Sequence, residues 1–154
     1  MSCELGLDAK FYYEASLEAG TLASAVWTEV DVARDVTTDA SADEADTSDR
    51  RSVFKTTCPS LLTLESSMTM TYENGDTKIK DLRDQFLARK PILIAVMDGP
   101  IATTGSEGFV FWANVYSNSF AQPLTDGCTV DVTFRPAVPP ATDSSTNPQW
   151  YVVS

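Results

Sequence analysis

The sequence predicts a mainly β protein, an antiparallel β-sandwich or partly closed barrel with one flanking α-helix. Several segments alternate apolar and polar residues with the period of two that half-buried strands have. Turn-forming sequences such as Asn74–Gly75 separate these segments, and one segment has helical spacing instead. Because the pattern covers most of the 154 residues, we expect one domain at residues 1–136.

Three strands are predicted before the helix, at residues 5–16, 25–34 and 60–72. The third is the longest, and its two faces differ in character. Its apolar side carries Leu62, Leu64, Ser66, Met68, Met70 and Tyr72. Its polar side carries Thr63, Glu65, Ser67, Thr69 and Thr71. A strand with one face of small polar groups is expected to pack on one side only.

The helix is predicted over residues 76–90, with Asp76 as its N-cap and Pro91 as its stop. Its apolar stripe consists of Ile79, Leu82, Phe86 and Leu87. Three more strands are predicted at residues 92–98, 108–120 and 128–136. In the last one we expect Val130, Val132 and Phe134 to face inward.

A long charged connection is predicted at residues 34–58. It contains six carboxylates followed by two arginines: Asp35, Asp39, Asp43, Glu44, Asp46, Asp49, Arg50 and Arg51. A solvated loop, a calcium site and a docking loop are all open interpretations. Clustered carboxylates suit calcium, but no glycine lies between Asp31 and Arg51 to make the sharp turn of an EF-hand loop.

The order of charges in this connection favours docking. Opposite signs at its two ends allow successive copies to meet head to tail, and such contacts generate rings or filaments. Each exposed ion pair contributes only ~0–1 kcal/mol, so many weak contacts would be needed.

The C-terminal segment, residues 137–154, is a Pro-rich arm that ends in apolar residues: Trp150, Tyr151, Val152 and Val153. Burying such side chains contributes roughly 1.5–3 kcal/mol each, so a solvated end is unfavourable. We expect either a strand that folds back onto its own sheet or an arm docked on a neighbouring subunit; disorder is the remaining alternative.

The composition argues against several functions. A net charge of −11 opposes general nucleic-acid binding and binding to anionic membranes, because phosphate contacts need Lys and Arg. The longest apolar runs, such as residues 91–97, are far shorter than the ~20 residues of a membrane span. The chain has no histidine, which removes the Ser-His and Cys-His nucleophile arrangements. We therefore expect no enzyme activity, no metal and no cofactor.

The order of these parts resembles that of the tail tube (major tail) proteins of long-tailed, flexible-tailed bacteriophages. The likeness covers roughly residues 5–136. Its successive parts are "LGLDAKFYY", "WTEVDVARDVT", an acidic loop closed by "SDRRS", "LTLESSMTMTYENGD", "DLRDQFLARK" with "PILIAVMD", "GFVFWANV" and "VDVTFRP". The sequence departs from the family in its many Asp residues and in ending with "WYVVS" after a Pro-rich linker.

The resemblance implies a homo-oligomer of hexameric rings stacked into a hollow tube, through which double-stranded DNA passes during ejection without specific binding. It implies that the loop at residues 34–58 reaches an adjacent ring and that terminal arms contact neighbours. It also implies a place in the virion tail after assembly in the host cytoplasm, beside other tail proteins such as the tape measure and terminator proteins.

Carboxylates and hydroxyls on a tube wall would let a polyanion slide, whereas Lys and Arg would bind it. The candidate lumen residues are Glu65, Ser67, Thr69, Thr71, Thr129, Asp131 and Thr133. An exterior solvated face is the alternative for these residues. For the whole protein, the alternatives are a tube protein of a contractile tail or type VI secretion system, and a calcium- or sugar-binding β-sandwich module.

Overall fold

The computed structural model describes residues 6–14, 21, 24–141, 143 and 148–154, which form eight strands and one helix. In chain order these are β1 (Lys10–Glu14), β2 (Trp27–Glu29), β3 (Ala33–Asp46), β4 (Thr57–Thr71), α1 (Thr77–Ala88), β5 (Ile92–Met97), β6 (Glu107–Ala121), β7 (Thr129–Pro136) and β8 (Gln149–Val152). The predicted first strand corresponds to β1, and its residues 5, 15 and 16 lie outside the described ranges.

The strands form one antiparallel sheet in the order β2-β1-β5-β6-β7-β4-β3, and β8 pairs with β6 beside this path. The sheet has two end strands, so in the described part of the chain it does not close into a barrel. It nevertheless curls onto itself, because Phe11 of β1 and Phe134 of β7 have ring centroids 5.4 Å apart although two strands separate them. The predicted fold class, mainly β with one helix, is confirmed.

The helix α1 packs on the concave side of this sheet, as its apolar stripe predicts. Asp76 is the N-cap, and its carboxylate accepts a hydrogen bond of 2.8 Å from the Lys78 backbone N–H. Ile79 and Leu82 are buried in the main core with residues of β1, β4, β5, β6 and β7. The expectation for Leu87 is wrong, because it lies about 140° around the helix from Leu82 at ~3.6 residues per turn and is exposed.

A second apolar cluster covers the opposite, convex side of the three central strands. It contains Tyr12, Leu93, Ala95, Met97, Val110 and Trp112. Trp27, Ile101 and Tyr151 pack against it from surrounding segments. Strands β1 and β5 and the first half of β6 are therefore buried on both faces. This explains why β5 is a continuous apolar run rather than an alternating one.

The segment at residues 25–34 is not the single strand that its alternation predicts. It contains the three-residue β2, a turn at residues 31–32 and the beginning of β3. The Val30 N–H donates to the Phe11 carbonyl, whereas the Val32 carbonyl accepts from the Thr71 N–H. The chain thus passes here from one end of the sheet to the other, and this passage interrupts the strand.

The predicted connection at residues 34–58 is also different in the structure. Its first part forms β3, which pairs with β4 from Ala33↔Met70 to Asp46↔Thr57. Only residues 47–56 connect the two strands. The Asp-rich composition hides this strand, because Asp is depleted in strands, but an exposed edge strand accommodates charged side chains.

The C-terminal residues fold back onto their own sheet in the part that the structure describes. β8 pairs with β6 from Glu107↔Val152 to Val110↔Gln149, beyond the end of β7. Of the predicted arm at residues 137–154, positions 142 and 144–147 lie outside the described residues.

Candidate assembly and lumen surfaces

The β3–β4 hairpin extends beyond the rest of the sheet. β7 pairs with β4 only from Ser66 to Thr71, so the outer part of β4 has β3 as its sole strand partner among the described residues. We call residues 41–63 the distal hairpin. All of its residues except Ala45 are exposed. An isolated two-stranded hairpin is marginally stable in water, so this segment is a candidate for contact with another molecule.

The structure divides the predicted docking residues between two places. Asp35 and Asp39 lie in the inner part of β3, directly opposite Thr69 and Glu65. The others lie on the distal hairpin: Asp43, Glu44, Asp46, Asp49, Arg50 and Arg51. The two groups therefore cannot act as one continuous loop, and their docking role stays a prediction.

Several charges of the distal hairpin are already paired within it. The Arg51 Nε donates to Asp49 Oδ2 at 2.7 Å, and the Lys55 ammonium lies 3.0 Å from Glu44. The Ser48 backbone N–H donates to Asp46 Oδ1 at 2.8 Å. The hydrogen bonds from Ser48 and Arg51 lower the pKa of the Asp46 and Asp49 carboxyl groups. Pairing between copies would have to compete with these local contacts.

Sequence reasoning missed Val53, Phe54 and Leu61, three of the four exposed apolar residues on this hairpin, and expected the fourth, Leu62, on the packed side of its strand. Val53 and Phe54 lie at its tip and are 96% and 77% exposed. Leu61 and Leu62 on β4 are 76% and 82% exposed. For Val53 and Phe54 the available signal was "VF", two apolar residues within an otherwise polar and charged stretch. Adjacent exposed apolar side chains of this size are typical of interaction surfaces.

The seven predicted lumen residues lie together on the outer side of β4 and β7. The strand register places Ser67 opposite Thr133, Thr69 opposite Asp131 and Thr71 opposite Thr129. Residues directly opposite each other in an antiparallel pair share a face. The face continues onto β3 and β6, and we call it the polar face: Asp35, Thr37, Asp39, Glu65, Ser67, Thr69, Thr71, Ser117, Ser119, Thr129, Asp131, Thr133 and Arg135.

The polar face combines carboxylates and hydroxyls with few cations. The Thr69 hydroxyl donates to Asp131 Oδ1 at 2.7 Å. The Arg135 Nε donates to Glu65 Oε2 at 2.9 Å, and the guanidinium carbon lies 5.0 Å from the centre of the Tyr116 ring. Arg34 lies at one end of the face, where it lines a cavity of about 460 Å³ with Thr71 and Thr129.

Only one side of the C-terminal strand β8 is packed against the sheet. Tyr151 and Val153 pack against the second cluster, whereas Trp150 and Val152 are more than half exposed. The Trp150 ring makes an edge contact with Phe109 at 5.0 Å. A contact of these residues with a neighbouring subunit stays a prediction.

Among the residues described, no helix is long and apolar enough to cross a membrane. Within the same ranges, no three His, Cys, Asp or Glu side chains are grouped closely enough to hold a metal ion.

No protein-family model and no curated protein matches this sequence. Solved structures do match its fold. One match is a chain from the tail of an empty gene transfer agent particle, computed with helical refinement and C6 symmetry. It is 11% identical in sequence to this chain, with a TM-score of 0.72, and the match covers 99% of this chain and 100% of that chain. A chain from the virion of the native gene transfer agent particle is 12% identical with a TM-score of 0.67, covering 88% and 95%.

The SPP1 tail tube, solved as a hybrid of solid-state NMR and cryo-electron microscopy, is 12% identical to this chain. Its TM-score is 0.70, with 86% of this chain and 75% of that chain covered. These identities are too low to follow individual residues, but the agreement extends over nearly the whole chain. The chain therefore has the fold of phage tail tube structures, as the order of its parts predicts.

Proposed function

We propose that this chain is a structural, non-enzymatic tail tube protein of a virion. Its copies form hexameric rings that stack into a hollow conduit for DNA ejection. The observation that carries the proposal is the full-length agreement with a chain of a tail refined with C6 symmetry. The open sheet, the protruding hairpin and the polar face each supply one surface that such a tube requires.

The ring would close through the ends of the sheet. β3 is an end strand of 14 residues, and its outer edge presents backbone N–H and C=O groups that no strand pairs within the described chain. Pairing of this edge with a neighbouring subunit would satisfy those groups and remove the exposed edge. A closed ring of identical subunits repeats one such contact at every interface.

Stacking of rings would use the distal hairpin. Its exposed apolar residues at the tip, Val53 and Phe54, can be buried against the next ring, and its charges can form weaker contacts around them. Apolar burial contributes about 25 cal/mol per Å², which makes the apolar tip a stronger anchor than exposed ion pairs. Arg50 and Arg51 would then lie at the rim of the stacking contact, around the apolar tip.

The polar face would line the bore. Its carboxylates repel DNA phosphates, and its hydroxyls offer only short neutral contacts, so DNA can move past it. Replacing both Glu65 and Asp131 with Lys should slow DNA exit from assembled particles without preventing tube formation. Unchanged exit would contradict this placement of the face.

The remaining parts of the proposal concern partners and location. A tube of this kind needs proteins that set its length and close its end, so we expect tape measure and terminator proteins as partners. We also expect assembly in the host cytoplasm before incorporation into the virion. The exposed side of β8, with Trp150 and Val152, is available for a contact with a neighbouring subunit.

Electron microscopy of the concentrated protein tests the assembly directly. We expect six-fold rings or hollow tubes from the natural chain. The double variant Arg50→Glu/Arg51→Glu should remain folded but not polymerise. The matched control is Lys80→Glu/Arg83→Glu, which makes the same charge change on the exposed side of α1.

Two results would contradict the proposal. A natural chain that stays monomeric at every concentration tested would exclude self-assembly. Normal tubes from the Arg50→Glu/Arg51→Glu variant would exclude these two arginines from the stacking contact, while leaving the ring intact.

A further inference from the structure

We infer that Glu65 shields Arg135, so that this guanidinium does not hold DNA phosphates on the polar face. This inference rests on the proposed function, in which the polar face lines the bore. It assigns Glu65 a role that differs from that of the other carboxylates on the face: Glu65 neutralises one particular cation, whereas the others contribute general repulsion.

The geometry around Arg135 supports this role. Its Nε donates to Glu65 Oε2 at 2.9 Å across the boundary between β7 and β4. The Tyr116 ring lies 5.0 Å from the guanidinium carbon and holds the planar group from another side. About half of each side chain in the ion pair is exposed, so the pair lies at the surface of the polar face and is not a core contact.

An unshielded arginine at this position would bind DNA phosphates and slow the passage of DNA through the tube. A guanidinium presents a planar set of donors that matches phosphate oxygens and makes bidentate contacts with them. In hexameric rings the same arginine recurs six times in every ring, and each phosphate contact would release counterions and retain the DNA. Glu65 occupies one donor of Arg135, the Nε–H, and adds a negative charge beside the other four.

Asp131 provides the matched comparison. It lies on the same face, but its hydrogen bond comes from the Thr69 hydroxyl and not from a cation. Glu65→Gln and Asp131→Asn each remove one negative charge and keep nearly the same shape. Shielding predicts a larger gain in DNA binding for Glu65→Gln, whereas general repulsion alone predicts equal gains.

The experiment measures binding of a short fluorescent duplex DNA to the folded subunit by anisotropy at low salt. The variants are Glu65→Gln, Asp131→Asn, Arg135→Gln and Glu65→Gln/Arg135→Gln. We expect Glu65→Gln to bind the duplex several-fold more tightly than Asp131→Asn. One extra phosphate contact should make its affinity fall by about 3.5-fold more between ~50 and ~200 mM salt. Arg135→Gln and the double variant should show neither effect.

Other outcomes would overturn the inference. Equal binding by Glu65→Gln and Asp131→Asn, or an absence of detectable binding by Glu65→Gln, would exclude shielding of Arg135. Tighter binding that persists in the double variant would show that the gained contact is made elsewhere, for example by Arg34. Circular dichroism establishes that each variant is folded.

Failure of this inference is distinguishable from failure of the proposed function. Subunits that never form rings or tubes in electron micrographs would exclude the proposed function whatever their DNA affinity. Normal tubes together with equal DNA binding by the two single variants would exclude only the shielding role of Glu65.

Discussion

The two halves of β4 belong to one continuous strand but have different surroundings. In the inner half, residues 64–71, the alternate residues Leu64, Met68 and Met70 are buried in the main core, which also contains residues of α1 and β7. In the outer half, residues 57–63, every residue is exposed, and Leu62 continues the same alternation without any cover. Periodicity therefore shows which side chains share a face, but a second element must be present before that face is buried.

The difference also separates two roles within one hairpin. The inner half belongs to the folding unit, because its apolar face contributes to the main core. The distal hairpin gains little from the subunit alone, and under the proposed function its burial comes from another copy. A hairpin that is completed only on assembly would favour the assembled state over the free subunit.

The largest expected effect comes from truncating matched positions in the two halves. Met70→Ala removes a fully buried side chain and should lower the free energy of unfolding by about 2–5 kcal/mol. Leu62→Ala removes a side chain that is already in water and should change it by less than about 0.5 kcal/mol. Chemical denaturation of the subunit measures both. Comparable losses of unfolding free energy in the two variants would mean that the distal hairpin belongs to the same folding unit as the inner half of β4.

A smaller effect is expected from the contact that ties α1 to the core. The Tyr13 hydroxyl donates to Asp81 Oδ2 at 2.8 Å. Tyr13→Phe should cost about 0.5–1.5 kcal/mol, because the hydrogen bond is lost while the ring remains packed. Tyr116→Phe, at an exposed position, is the control and should have little effect on stability.

The same contact predicts a dependence on pH. Burial and the hydrogen bond to Asp81 raise the pKa of Tyr13 above its ordinary value. Below about pH 10 the residue is protonated in both states. Above that pH the unfolded tyrosine loses its proton while the folded one keeps it, so the free energy of unfolding falls as the pH rises. Denaturation curves of Tyr13→Phe should lack this part of the decline; an unchanged alkaline slope would contradict the assignment.

The smallest effect is expected at the tip of the distal hairpin. The pKa of Asp49 is lowered by its hydrogen bonds with Arg51, so the local order that they provide is complete above the ordinary Asp value of ~3.9 and is lost as the pH falls. The amide resonance of Arg51 should shift in acid while those of the inner half of β4 remain unchanged. Asp49→Asn should abolish this titration without moving the denaturation midpoint. A shift in that midpoint would show that the tip is coupled to the core.

Much of the fold was predictable because it depends on local signals. Asp76 begins the helix as predicted, although the helix ends at Ala88 with Arg89 as its C-cap, before the predicted stop at Pro91. Val130, Val132 and Phe134 identify the inward face of β7. The polar face was predictable for the same reason, since hydroxyls and carboxylates alternate with apolar residues along β4 and β7. The pairing of Arg135 with Glu65 was not, because these residues are 70 positions apart and meet only through the strand register.

The amino-acid sequence by itself determined the helix and most of the strand segments, the alternation of polar and apolar faces and the strong negative charge, because these follow from side-chain chemistry and short-range periodicity. Only the tertiary structure decided that the Asp-rich segment is an edge strand and that the C-terminal strand pairs with β6. It also decided that β4 extends beyond the residues that pair with β7. These features depend on which elements lie beside each other, and that depends on contacts between residues far apart in the chain.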